Sequence, residues 1–155
     1  MPTAHHYQAT TIWTGNKGTG TKSYSAYERS YRLIIQGKPA ISGSSDPAFR
    51  GDNTKHNPEE LLVSALSSCH MLWYLHLCAE AGVIVTEYTD TARGTMVETA
   101  DGGGHFTVVN LHPVVTVAEQ PMIEKANALH KKANELCFVA NSVNFPVNHH
   151  PVTKT

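Results

Sequence analysis

Cys69 lies in the middle of the most apolar stretch of the chain, NPEELLVSALSSCHMLWYLHLCAEAG, which covers residues 57–82. A cysteine in such a place has two interpretations. Free cysteine is among the most buried residue types, so Cys69 could simply fill space in a core. A thiolate is also a nucleophile, so Cys69 could be a reactive group, and the rest of the sequence has to decide.

The other two cysteines limit how Cys69 can react. Cys69 and Cys78 are nine residues apart, which on a straight helix corresponds to a rotation of about 180° and a rise of about 13 Å. A disulfide needs Cα atoms within about 7 Å, so these two residues cannot pair. Cys137 is therefore the only free candidate partner for Cys69, and Cys78 is predicted to fill the core.

A reactive thiolate needs a nearby positive charge or a helix N-terminus. The chain has four arginines, and only Arg50 lies in the segment Gly37–Pro58, which is rich in Gly, Pro, Ser, Asp and Asn. Long ordered loops in compact domains tend to be functional, so Arg50 is the candidate cation. Glu59, in the first turn of the next helix, could orient an arginine or could merely favour the helix dipole.

The first predicted helix carries clear signals at both ends. Asn57 is placed as N-cap, Pro58 as the first helical residue and Glu60 as the partner in a capping box, while Gly82 ends the helix. The helix is apolar on every side and therefore has to be buried on every side. In a chain of 155 residues a second copy covers it most easily, so the sequence predicts a homodimer.

Strand-like segments flank this helix. Residues 7–36, with the turn GNKGTGT, predict a hairpin or meander, and residues 83–117, with the turn DGGG, predict further strands. A second helix opens at Pro121, and VNFPVNHHPV predicts a closing strand at a sheet edge because of its prolines. The order β, helix, β, helix, β predicts a single α+β domain over residues 1–155 with mostly antiparallel strands. The second helix has an apolar stripe of Met122, Ala126, Leu129, Ala133 and Leu136.

The composition excludes several classes of partner. Lys and Arg number 12 against 13 Asp and Glu, so there is no basic surface for nucleic acid or anionic membrane. The N-terminus has no signal-peptide pattern, and no apolar run is judged long enough to span a bilayer. We therefore expect a cytoplasmic protein, in which three cysteines are catalytic, metal-binding or buried.

A metal site is the main rival to a reactive thiol, because the chain has ten histidines and three cysteines. Cys69, His70, His76 and Cys78 are close in sequence, but no two of them are three or four residues apart, and their spacing fits no common zinc pattern. We expect neither metal nor cofactor. His70 and His130 are candidate bases, although single histidines are more often ordinary hydrogen-bonded residues.

The motif NPEELLVSALSSC, followed far downstream by a second cysteine, resembles the OsmC/Ohr family of osmotically inducible and organic hydroperoxide resistance proteins. The segments SSDPAFRGDNTKHNPEELL and CFVANSVNFPV are similar to one branch of it. The resemblance implies antiparallel sheets around a buried central helix, an intertwined homodimer and active sites at the subunit interface. By position, Cys69 matches the peroxidatic cysteine, Cys137 the resolving cysteine and Glu59 the glutamate. Arg50 matches the arginine, which subgroups take from different loops.

The implied activity is that of a thiol-dependent peroxidase. The Cys69 thiolate would attack an organic hydroperoxide, Cys137 would convert the resulting sulfenic acid to a disulfide, and a dithiol would reset the enzyme. The resemblance makes a lipoylated protein a candidate for that dithiol. Arg50 would stabilise the thiolate and hold the peroxide, with Glu59 holding Arg50. A metal-binding or non-enzymatic small-molecule-binding protein on the same fold stays the alternative.

One conflict between motif and geometry remains. In a straight helix, Glu59 and Cys69 lie about 15 Å apart along the axis, whereas charge partners act within about 4–6 Å. We expect a break near residues 66–68, where Ser67 or Ser68 would cap a second helix and place Cys69 in its first turn. The alternative is that Glu59 reaches the site of the other subunit.

Overall fold

The computed structural model describes residues 1–155 and has an α+β architecture, which confirms the predicted fold class. Its strands form three sheets of three strands each. The strands are β1 (Thr10–Trp13), β2 (Tyr31–Ile34), β3 (Ile41–Gly43), β4 (Val85–Asp90), β5 (Arg93–Glu98), β6 (Gly104–Leu111), β7 (Pro113–Val117), β8 (Val147–His149) and β9 (Val152–Lys154). The helices are α1 (Pro58–Glu80) and α2 (Ile123–Leu136).

The chain divides into two compact units, residues 1–61 and residues 62–155. The expectation of one domain stays a prediction. The first unit contains the antiparallel sheet β1-β2-β3. β1 and β2 form the hairpin predicted within residues 7–36, whereas β3 lies in the segment 37–58 that was predicted to be a loop. A short 3-10 turn, Pro47–Phe49, follows this sheet and precedes the start of α1.

The second unit contains the sheets β4-β7-β9 and β5-β6-β8. The pairs β4–β7 and β5–β6 are antiparallel, and β5–β6 is the hairpin at the predicted DGGG turn. The predicted closing strand is instead two short strands, and each lies at a sheet edge, as its prolines favour. Both pair in parallel, β8 with β6 and β9 with β7, because the chain reaches these edges only after passing through α2.

α1 begins and ends where the sequence predicts. Asn57 Oδ1 accepts a hydrogen bond from Glu60 N at 2.9 Å, and Asn57 Nδ2 donates to Glu60 Oε1 at 2.8 Å. At the other end Gly82 has a positive φ of 74°. Val83 N donates to Cys78 O at 2.9 Å, which closes the helix in a Schellman-type turn.

The predicted break in α1 is wrong, since the helix runs unbroken from Pro58 to Glu80. Ser68 Oγ donates to Ser64 O at 2.8 Å, so its hydroxyl bonds back onto the preceding turn and caps nothing. Ser67 Oγ donates to Asp90 in β4. The alternative, that Glu59 reaches the site of a second subunit, stays a prediction.

A single chain buries only one face of α1. The buried residues recur every four positions, at Leu66, His70, Tyr74 and Cys78, which is the spacing of one helical face. Leu72, on another face, is 63% exposed. The sequence predicted burial on every side, so the remaining apolar faces are what a second copy would have to cover.

By length and apolar composition alone, α1 could cross a membrane. The expectation that no apolar run is long enough to span a bilayer was therefore wrong. Both acidic residues of the first turn lie at the start of α1, and the long segment that follows them has no charged residue until Glu80. The core helix of a soluble protein meets the same criterion, so this property is weak evidence of membrane insertion. α1 also carries His70, whose buried imidazole is paired with a side chain of α2.

α2 starts after a 3-10 turn, Gln120–Met122, two residues later than Pro121 suggested. Its predicted stripe is partly confirmed, since Ala126 and Ala133 are fully buried. They join Tyr74 and Cys78 of α1 in one hydrophobic cluster. A second cluster, around Leu66 of α1, includes residues of β6.

Candidate functional site

Cys69 and Cys137 lie next to each other in the second unit. Cys69 is in α1 and partly exposed, whereas Cys137 follows the last residue of α2 and is only 1% exposed. The two thiol groups are close enough to hydrogen-bond, and this contact contributes to the raised pKa of Cys137. Both cysteines are free thiols. The structure thus brings together the two cysteines that the sequence analysis singled out as a pair.

The surroundings of Cys137 favour its protonated form. Burial, together with the neighbouring Cys69 side chain, raises the pKa of Cys137 to about 11. The backbone N–H of Ala140 donates to Cys137 Sγ at 3.4 Å and opposes this shift without cancelling it. At neutral pH Cys137 is therefore a thiol, held in place by burial and by backbone contacts from Val139 and Ala140.

An apolar surface surrounds the cysteine pair. Trp73, one helical turn after Cys69, meets the ring of Phe138 edge-on with centroids 5.5 Å apart. Phe138 follows Cys137 directly and is 70% exposed. A shallow cavity of about 240 Å³ is lined by Leu72, Trp73 and His76. These residues can accept an apolar group close to Cys69.

The third cysteine has a different environment. Cys78 is buried in the cluster that also contains Val115 and Ala126. Burial raises its pKa, and a hydrogen bond with Tyr74 partly opposes that shift. This placement agrees with the prediction that Cys78 fills the core.

Arg50 and Glu59 both lie in the first unit. Arg50 follows the Pro47–Phe49 turn in the left-handed region, with φ 62°, and its guanidinium carbon is 5.9 Å from the centre of the Tyr24 ring. Glu59 is partly buried near Tyr31, whose pKa is raised first by burial and second by the Glu59 charge. No ion pair joins Glu59 to Arg50 within the chain. The structure does not bring these two candidates together.

A cluster of buried imidazoles lies between α1 and α2. His70 Nε2 and His130 Nδ1 are 3.0 Å apart, and the ring of His149 lies 5.7 Å from that of His70. Tyr74 stacks on His130 with centroids 3.9 Å apart. Burial is the main cause that lowers the pKa of His70 to about 4 and that of His130 to about 3. Both rings are therefore neutral at physiological pH.

The pairing of His70 with His130 was not predicted from the sequence, in which each is a single histidine. A signal was present for both. His130 falls four residues after Ala126 and three before Ala133, on the predicted apolar stripe. His70 falls midway between Leu66 and Tyr74, at the spacing of one helical face.

The residues considered as metal ligands do not come together at one point. His76 Nε2 lies 3.4 Å from Glu80 Oε1 at the surface, while Cys78 is buried beside Tyr74. No group of three or more His, Cys, Asp or Glu side chains has an arrangement that could hold a metal ion.

Comparison with known protein families and solved structures finds similarity to OsmC-like proteins. A family model described as OsmC-like protein matches residues 51–150, a range that contains Glu59 and both cysteines of the pair and begins one residue after Arg50. An OsmC-like protein of unknown function from Vibrio cholerae has 30% identity and a TM-score of 0.86, with 96% of this chain and 100% of that chain covered.

Two further solved structures are similar in fold. An organic hydroperoxide resistance protein from Elizabethkingia anophelis has 22% identity and a TM-score of 0.71, covering 100% of this chain and 99% of that one. An organic hydroperoxide resistance protein OsmC from Legionella pneumophila has 18% identity and a TM-score of 0.69, covering 98% and 100%. Comparison with curated protein sequences gave no match.

Proposed function

The chain belongs to the OsmC-like family, and on that premise we propose that it is a cysteine-based thiol peroxidase that reduces organic hydroperoxides to alcohols. The observation that carries the proposal is the pairing of an accessible Cys69 with a buried neighbouring Cys137. A substrate can reach the partly exposed Cys69 thiol, whereas the buried Cys137 thiol is accessible mainly to Cys69. Similarity to organic hydroperoxide resistance proteins supports the same class of reaction.

In the first step the Cys69 thiolate attacks the distal oxygen of the hydroperoxide. The O–O bond breaks, the alkoxide takes a proton and leaves as alcohol, and Cys69 becomes a sulfenic acid. The partial exposure of Cys69 gives the peroxide access. Cys137, which stays protonated, does not compete as a nucleophile.

In the second step Cys137 condenses with the Cys69 sulfenic acid. The sulfur–sulfur bond forms, the hydroxyl of the sulfenic acid leaves, and the proton of the Cys137 thiol completes a molecule of water. The disulfide protects Cys69 from irreversible oxidation. A dithiol then supplies two electrons and two protons by exchange, which restores both thiols. By family resemblance, a lipoylated protein is the candidate dithiol.

Arg50 and Glu59 are proposed to act in an intertwined homodimer. Arg50 would stabilise the thiolate and the peroxide, and Glu59 would orient Arg50. Two observations support a second copy. Arg50 and Glu59 form no ion pair within one chain, and α1 leaves apolar residues such as Leu72 exposed. Burying these residues favours association of two copies.

The proposed substrate is an organic rather than an inorganic peroxide. Leu72, Trp73 and Phe138 offer apolar contacts beside Cys69, and hydrogen peroxide has no apolar group to use them. We place the reaction in a reducing cytoplasm, where cysteines remain free thiols without a disulfide framework.

The test is peroxide turnover by purified protein with dithiothreitol as reductant. We expect cumene hydroperoxide and tert-butyl hydroperoxide to be consumed faster than hydrogen peroxide at equal concentration. Phe138→Ser should narrow this preference, and Ile84→Ser, on an exposed apolar residue between α1 and β4, is the matched control. No consumption of any peroxide by folded protein would overturn the proposal in favour of a non-enzymatic binding protein on the same fold.

A further inference from the structure

The His70–His130 hydrogen bond lies in the same helix contact as the cysteine pair. We propose that His70 and His130 are positioning residues, which hold α1 against α2 so that Cys69 and Cys137 stay in register for disulfide formation. The proposal rests on the proposed function only in taking that disulfide as the catalytic intermediate. Neither imidazole is assigned a contact with the substrate.

Three contacts connect the helices in order. Cys69 interacts with Cys137, His70 Nε2 lies 3.0 Å from His130 Nδ1, and Tyr74 OH donates to Ala126 O at 3.0 Å. From one contact to the next the residue numbers increase along α1 and decrease along α2, so the two helices run in opposite directions here. The imidazole pair is the side-chain bond nearest to the cysteines.

Sequence spacing links each histidine to one cysteine. His70 follows Cys69 directly, and His130 precedes Cys137 by seven residues, close to two helical turns on the same face. A shift of either helix that lengthens the imidazole bond therefore also moves a cysteine relative to its partner.

The bond is directional and buried. His70 is 1% exposed and His130 is 0% exposed, so water cannot replace a lost partner. His70 Nδ1 and His130 Nε2 have no partner, so one buried N–H stays unpaired in either tautomer. Two apolar side chains could fill this contact without that cost. Compared with two apolar side chains, the imidazoles add a directional hydrogen bond between one position of α1 and one position of α2.

Positioning should appear as a more stable disulfide. When two thiols are already held together, closing the bond between them loses less conformational freedom, and their effective concentration rises. The quantity to measure is the equilibrium constant for forming the Cys69–Cys137 disulfide against glutathione. Peptide mass spectrometry identifies the bridge, and no peroxide is needed.

Two substitutions at position 70 separate the hydrogen bond from other effects. In His70→Gln the side-chain amide extends as far as the imidazole Nε2 and can still bond to His130 Nδ1. In His70→Asn the amide ends near the position of Nδ1 and falls short of His130. Both variants are polar and non-titrating, so they differ mainly in reach. His105→Asn, at an exposed position in β6, is the surface control.

We expect the equilibrium constant to fall roughly three- to tenfold in His70→Asn, the effect of one ordinary hydrogen bond. It should stay near the wild-type value in His70→Gln and in His105→Asn. Thermal unfolding of the oxidised and reduced forms shows that each variant is folded. Equal constants in His70→Asn and His70→Gln would overturn the proposal, as would destabilisation that is the same in both redox forms.

The outcome is independent of the peroxidase assignment. If the constant responds to the reach of residue 70 while the protein consumes no peroxide, the positioning role holds and the proposed function fails. If peroxide is consumed and the constants are unchanged, only the positioning role fails.

Discussion

Cys69 and Cys137 are 68 residues apart in sequence and lie side by side, whereas Arg50 and Glu59 are nine residues apart and form no ion pair. The cysteines are carried by two helices whose buried faces meet, so packing of the core decides their distance. Arg50 lies on an exposed turn and Glu59 in the first turn of a helix. Nothing in the packing of the first unit requires these two charges to meet.

The difference separates two kinds of site residue. Core packing within one chain is enough to place the thiol pair. The charged pair needs a further contact, which we propose a second copy to provide. Disrupting one kind of site residue should leave the other kind intact.

The cysteine pair should be essential to turnover. Cys69→Ser removes the nucleophile, so peroxide consumption should fall to the uncatalysed background. Cys78→Ser should keep nearly full activity, because Cys78 is buried against Tyr74, away from the pair. Activity is followed as loss of cumene hydroperoxide with dithiothreitol. An equal loss in the two variants would contradict the assignment of Cys69.

Cys137→Ser tests the other half of the pair. The first turnover should proceed, but without a resolving thiol the Cys69 sulfenic acid can be oxidised further, and activity should decay with each addition of peroxide. Mass spectrometry should detect sulfinic or sulfonic acid at Cys69 in this variant. In the wild type it should detect an intrachain Cys69–Cys137 disulfide. A Cys69–Cys78 bridge, or one found only between chains, would show that Cys137 is not the resolving residue.

Substitutions of Arg50 and Glu59 should change the rate of Cys69 oxidation without changing the formation of the Cys69–Cys137 disulfide. Removing one preorganised charge from a reacting centre costs about 100-fold or more, so Arg50→Gln should slow oxidation of Cys69 by that order. Glu59→Gln should slow this step less, because in our proposal Glu59 acts through Arg50. Arg32→Gln, on an exposed position of β2, is the matched control. The measurement is the rate of sulfenic acid formation with cumene hydroperoxide.

The double variant sharpens this test. If Glu59 acts only by holding Arg50, the Arg50→Gln/Glu59→Gln protein should be no slower than Arg50→Gln alone, since coupled residues are not additive. Additive losses would mean that the two charges act separately. Unchanged rates in both single variants would remove the pair from the mechanism.

Much of this arrangement could be predicted from the sequence, and the limits have physical causes. The ends of α1 were predictable because Asn57, Glu60 and Gly82 act through local backbone geometry. The parallel pairing of β8 and β9 was not, because it depends on where the chain returns after α2.

At the candidate site, the pairing of Cys69 with Cys137 followed from excluding Cys78. The supposed break in α1 was an attempt to satisfy Glu59 within one chain, but the serine hydroxyls bond to Ser64 and Asp90 instead and the helix continues. The imidazole pair was not predictable because its two histidines lie 60 residues apart, on different helices. Contacts between faces of different helices become visible only once the helices are packed.

The smallest expected effect concerns acid stability of the imidazole pair. In the folded protein, burial lowers the pKa of His70 to about 4 and that of His130 to about 3, whereas an unfolded histidine has a pKa of about 6.5. The neutral rings therefore contribute their full stability above about pH 6.5, and this contribution is lost as the pH falls towards 4 and 3. Each such proton changes the free energy of unfolding by up to about 1.4 kcal/mol per pH unit in that window.

Urea unfolding followed by tryptophan fluorescence at pH 7, 6, 5 and 4 measures this dependence. Acidic residues contribute equally to wild type and variants, so the informative quantity is the difference between them. His70→Gln keeps a hydrogen-bonding side chain and removes one titrating ring, so its stability should fall less steeply with pH than that of the wild type. Identical slopes would show that the ring of His70 is not kept neutral by its burial. We expect His70→Gln to show a shallower dependence of unfolding free energy on pH and an unchanged disulfide equilibrium. Together these two results would separate the electrostatic cost of the buried imidazole from the hydrogen bond that holds the cysteines in register.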